Sequence, residues 1–123
     1  MAIFDDHIQK VEHNGNFFRS TDSVKFPDWV IAGVFYAALH CVDAVLITSN
    51  IDPTSHRARD SYIGNDTKLK PIYVNYRSLE DVSREARYNE KRFLTHHEVQ
   101  DCLKDLDVIV KHISNLLGVP IKF

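Results

Sequence analysis

Tyr36, His40 and Asp43 stand four and then three residues apart inside an otherwise apolar run, so on a helix they form one polar stripe. An imidazole flanked by a phenol and a carboxylate can serve as a base, donate to a phosphate or stack on a nucleobase. Such a stripe can equally be a satisfied buried network that fixes the register of a bundle, which is the commoner fate of these groups. A second group, Thr54-Ser55-His56-Arg57-Ala58-Arg59, falls where a helix should begin. Free N–H groups and the positive end of the helix dipole, beside a His and two Arg, suit a phosphate; in a plain solvated turn the two Arg would oppose that dipole. On a third segment Tyr73, Arg77, Glu80, Arg84 and Arg87 share one helical face, followed by Tyr88, Lys91 and Arg92. Glu80 with Arg84 is a favourable surface pair worth only tenths of a kcal/mol. The remaining guanidinium groups interleaved with tyrosines suit single-stranded RNA or a nucleotide, Arg meeting phosphate and phenol meeting base.

Other chemistries find little purchase. Seven histidines invite a metal, but His96 and His97 are adjacent and cannot face one point, and neither His40 nor His56 has a Cys or acidic partner at ligand spacing. No metal and no cofactor is expected. A phosphate-cradling glycine loop and a serine nucleophile elbow are both missing from the sequence. Cys41 and Cys102 sit singly in apolar runs, as packed and reduced thiols of a cytoplasmic protein would. The formal net charge of -2 exerts no global pull on a polyanion, so any nucleic-acid site must be a local patch.

The elements that must position these residues are helices. With 123 residues, 44% of them apolar and 26% charged, the chain is one soluble domain's worth. A first helix is expected over residues 3 to 20, with Ile8, Val11 and Phe18 inward, although Asn14-Gly15-Asn16 is weak helix material. Pro27 suits the first turn of a second helix reaching Ser49, which is apolar nearly all round and therefore central. Its stretch Trp29 to Ile47 is long enough to suggest a membrane span, but His40 and Asp43 in the middle favour a buried bundle helix, and no membrane partner is expected. Asp52-Pro53 can open a short third helix that Gly64-Asn65 stops, and Asp66 or Thr67 can cap a fourth whose Ile72, Tyr76, Leu79, Val82 or Ser83, and Ala86 keep the helical period, with Pro71 near its start. Thr95 and Glu98 make a capping box for a last helix. Its stripe of Val99, Cys102, Leu103, Leu106, Ile109, Val110, Ile113, Leu116 and Leu117 ends at Gly118 and Pro120. No segment alternates as a strand does. The expected fold is all-α, an up-and-down antiparallel bundle of four main helices plus one short one in a single domain over 1-123.

In this order the features resemble a known family. The run Phe35-Tyr36-Ala37-Ala38-Leu39-His40-Cys41-Val42-Asp43-Ala44-Val45-Leu46 resembles the Tyr-Tyr-Ala…His helix of HEPN-domain proteins, and Pro53-Thr54-Ser55-His56 resembles their Pro-x-x-His turn. Tyr76-Arg77-Ser78-Leu79 and Ser83-Arg84-Glu85-Ala86-Arg87-Tyr88 are similar to the family's Arg-x-x-Ala-x-Tyr stretch, so the likeness spans residues 27 to 117. The resemblance implies a helical bundle that commonly dimerises, with polar residues of two protomers meeting in one cleft. Many members are metal-independent ribonucleases with an Arg-x(4–6)-His motif, in which His takes the 2′-hydroxyl proton and Arg neutralises the phosphorane. Here Arg84 fills the Arg position but no His follows it; Arg92 and His97 match the spacing literally, four residues separating them. The Arg-x-x-Ala-x-Tyr form resembles branches without a nuclease motif, some of which accompany nucleotidyltransferases, and it allows such an enzyme as a partner protein.

Three functions follow as expectations. The leading one is a HEPN-like RNA- or nucleotide-binding module of a toxin-antitoxin or defence system, acting as a homodimer, with Arg84, Arg87 and Tyr88 at its centre and Tyr36, His40, His56, Arg57 and Arg77 around them. The second is a metal-independent ribonuclease using Arg84 or Arg92 on the phosphate and His40, His56 or His97 as base. The third is a protein-protein interaction domain whose polar stripe only specifies the bundle.

Overall fold

The first helix, α1 (Phe4–Ser20), starts with Asp5 and Asp6 in its first turn, where carboxylates suit the dipole, and the Asp6 carboxylate accepts from the Ile3 N–H at 3.1 Å. The computed structural model describes residues 3–89 and 93–123, all of them helical, turn or irregular. His7, Val11, Gly15 and Phe18 form the buried stripe of α1. Helix runs straight through Asn14-Gly15-Asn16, and Gly15 has a packing reason: a methyl there would fall 2.5 Å from the Phe123 carbonyl carbon. Only glycine lets the C-terminal backbone cross α1 that closely.

Pro27 opens α2 (Pro27–Ile47), which ends two residues short of the expected Ser49. By length and composition α2 could cross a membrane, but 83% of its most apolar window is buried inside the bundle. It packs against α1, α4 and α5, the central place its uniform apolarity implies.

The short helix α3 (His56–Asn65) begins later than expected. Asp52 and Pro53 are not its cap and first turn; Ser55 is extended and its hydroxyl accepts from the Ala58 N–H at 3.1 Å, so the serine takes the capping role. Asp66 likewise caps only a turn, accepting from the Lys68 N–H at 2.7 Å, and a 3-10 turn at Lys70–Ile72 containing Pro71 leads into α4 (Tyr73–Tyr88).

Thr95 and Glu98 form the reciprocal capping box of α5 (His96–Leu117), and Gly118 ends it in the left-handed region at φ 67°. Val99, Cys102, Leu106, Ile109, Val110 and Ile113 are buried, whereas Leu103 and Leu117 are half-buried and Leu116 is exposed, so the stripe is narrower than its apolar residues suggest. Successive long helices alternate in direction. His7 of α1 meets His40 of α2, Phe17 lies beside Gly33, and Asn75 of α4 reaches Asp105 of α5. Among the described residues the molecule is therefore the all-α bundle of four main helices and one short helix. Cys41 and Cys102 are free and buried, and burial pushes both thiols up to about 12, which leaves them inert near neutrality.

Candidate functional site

The polar stripe of α2 lies along the seam between α1 and the α3/α4 pair, and its three side chains turn to three different helices. Asp43, 5% exposed, grips Arg59 of α3 through both oxygens, at 2.8 Å to Nε and 3.1 Å to Nη2. His40 turns to α1, where its Nδ1 lies 3.1 Å from the Nδ1 of buried His7. Burial pulls the His40 imidazole down to about 4, with His7 adding to the shift and Asp43 opposing it, so the ring is neutral at pH 7. Tyr36 reaches α4, its hydroxyl accepting from Arg87 Nη1 at 2.8 Å.

Arg87 is the best-placed cation of the group. Its Nε donates to the Ser83 carbonyl at 3.2 Å, and its guanidinium carbon lies 5.7, 5.5 and 5.2 Å from the ring centres of Phe35, Tyr36 and Tyr88. His56 packs its ring on the same Phe35 at 5.8 Å and stays below its usual range, through burial first and then through Arg59, Arg87 and Arg84. His56, Arg84, Arg87 and Tyr36 thus share one neighbourhood; His40 does not join it. Beside Arg87 runs an open groove of about 320 Å³ lined by Asp28, Trp29, Ala32, Ala86, Arg87 and Tyr88, with the Trp29 and Tyr88 rings exposed.

The basic face of α4 is less basic than its residues suggest. Arg77 is tied to Asp60 at 2.7 Å and Glu80 at 3.3 Å, and Arg84 shares Glu80 at 3.1 Å. Asp81 lies within 3.8 Å of both. Arg57 projects into solvent without a hydrogen bond or ion pair among the described residues. Lys91 and Arg92 lie outside the described residues, so the Arg92–His97 pairing has no geometry here; His97 is exposed and sits 3.7 Å from Asp101.

Two participants differ from the sequence reading: His7 is absent from it, and Glu80, expected in a surface pair with Arg84, is buried. Glu80 is 2% exposed and lies against Asp60; burial and that contact push its carboxyl up to about 7, against the pull of Arg77 and Arg84. Its Oε2 and the Asp60 Oδ1 are both buried without a hydrogen-bond partner among the described residues, and a proton kept on Glu80 gives it a donor to offer there. The signal was the inward spacing Tyr76, Glu80, Ser83, which puts the carboxylate on the core face. His7 carried no local signal, since its partner lies 33 residues away. Compared with known proteins, the chain matches no family model and no curated protein.

Proposed function

We propose that this chain is a HEPN-like module that binds RNA or a nucleotide, with Arg87 taking the phosphate. The observation that carries the reading is that Arg87, unlike Arg77 and Arg84 of the same helix, has no carboxylate partner among the described residues, while Tyr36, Phe35 and the Ser83 carbonyl hold it in one orientation. A fixed guanidinium keeps donors for a ligand's oxygens, and the exposed Trp29 and Tyr88 rings along the adjoining groove offer π-faces to bases.

Arg87→Ala should weaken binding of a single-stranded RNA oligonucleotide by about 1–3 kcal/mol, read by fluorescence anisotropy at several salt concentrations. His97→Ala should change little. Wild-type affinity falling with salt is expected of phosphate contacts; equal affinity of wild type and Arg87→Ala removes the reading. A ribonuclease is favoured by one feature, the neutral His56 beside Arg84 and Arg87, which has the form of a base for a 2′-hydroxyl. RNA cut in the presence of a chelator, and left whole by His56→Ala, selects that alternative.

The same resemblance leads us to propose a homodimer with a two-fold interface burying more than about 1,000 Å². Exposed Phe26 and Phe93 supply apolar area for it. Light scattering at high micromolar concentration should give twice the chain mass; a monomer there rules the dimer out.

A further inference from the structure

We propose that His7, His40 and Asp43 form a binding site for a divalent transition metal of the zinc class, set between α1 and α2. One ring nitrogen of each histidine and one carboxylate oxygen of Asp43 lie within 4.8 Å of one another. The two Nδ1 atoms are already 3.1 Å apart, close to the roughly 3.3 Å edge of a tetrahedron whose metal–nitrogen bonds are about 2.0–2.1 Å. The Asp43 carboxylate, held by Arg59, stands within 4.8 Å of the two nitrogens and has to shift toward them to close the site. The chemistry suits the class: two neutral imidazoles and one carboxylate are borderline nitrogen and oxygen donors.

The histidine pair is also an incomplete structural network. His7 is 5% exposed, and its Nε2 is buried without a hydrogen-bond partner among the described residues. Two Nδ1 atoms in contact hold at most one proton between them, and a metal bound to both takes its place; the Nε2 of His7 has no part in that bond. Asp43 already accepts from Arg59, but a carboxylate has lone pairs to spare, so Arg59 stays as the group that orients the ligand. Arg59 and nearby Lys10 repel a cation and weaken the site, while Asp43 attracts one.

The test is titration of the purified chain with Zn²⁺ by calorimetry and with Co²⁺ by visible absorption. One equivalent should bind, Co²⁺ should show the strong visible bands of four-coordination, and Zn²⁺ should raise the melting temperature. His40→Asn should lower affinity by more than about tenfold, and the exposed-site control His13→Ala should leave it unchanged. If His40→Asn does not fold by circular dichroism, side-chain NMR of the wild type decides: Zn²⁺ must shift the His7 and His40 ring signals and spare His97. No binding by the wild type, undiminished binding by folded His40→Asn, or shifts confined to other histidines would overturn the site.

Discussion

Arg59→Ala should destabilise the fold by about 3–5 kcal/mol, because it strips a buried carboxylate of its counter-charge. Asp43 and Arg59 are 5% and 7% exposed, and both Asp43 oxygens are engaged by the guanidinium. Without Arg59, Asp43 must either stay charged in a poorly solvated seam or take up a proton at neutral pH, and each alternative costs free energy. Replacing both residues together, as in Asp43→Leu with Arg59→Met, should restore most of the loss, since a buried ion pair is worth little net against apolar side chains of similar size. Urea unfolding followed by circular dichroism measures both. A loss below about 1 kcal/mol for the single variant would place the pair among solvated surface ion pairs.

The second large effect is a pH dependence hidden by cancellation. Glu80 holds its proton in the folded chain up to about pH 7, whereas an unfolded glutamate releases it near 4.5. Between those values the folded state binds more protons, so this group's contribution to stability falls as pH rises through the window and is flat above it. His40 works the other way. Its folded value of about 4 lies below the unfolded 6.5, so its contribution is present at neutral pH and is lost as pH falls from 6.5 toward 4. Each is worth about 3 kcal/mol, at 1.36 kcal/mol per pH unit between the two values. From these two groups the wild type should show little net change across the overlap. Glu80→Gln removes one arm, so the melting temperature of that variant should drop more steeply than the wild type's between pH 6.5 and 4.5. Parallel pH profiles would mean that Glu80 titrates normally.

Helical periodicity made much of this architecture legible, and it stopped at the point where faces meet. The capping box at Thr95 and the proline at the start of α2 are local features, encoded within a few residues, and the structure places them where they were expected; the buried stripe of α5 is there too, without Leu103, Leu116 and Leu117. The start of α3 was misjudged because Asp52-Pro53 and Ser55 are competing caps, and a hydroxyl reaching the Ala58 N–H decides between them. The stripe Tyr36, His40, Asp43 was correctly assigned to one face, yet phase alone does not say that this face straddles a seam and serves three neighbours. The cationic character of α4 was overestimated for the same reason. Asp60, 17 residues before Arg77, belongs to another helix, and only the tertiary fold brings it to neutralise that guanidinium.

The groove beside Arg87 has one more property. Trp29 is the sole tryptophan of the chain, it lies on the groove wall, and it is 61% exposed. The groove therefore carries its own optical label: a base stacked there, as the proposed function has it, would shield and quench the one indole, while unfolding moves that indole from one watery setting to another. On the proposed function, intrinsic fluorescence should report occupancy of the groove better than it reports folding.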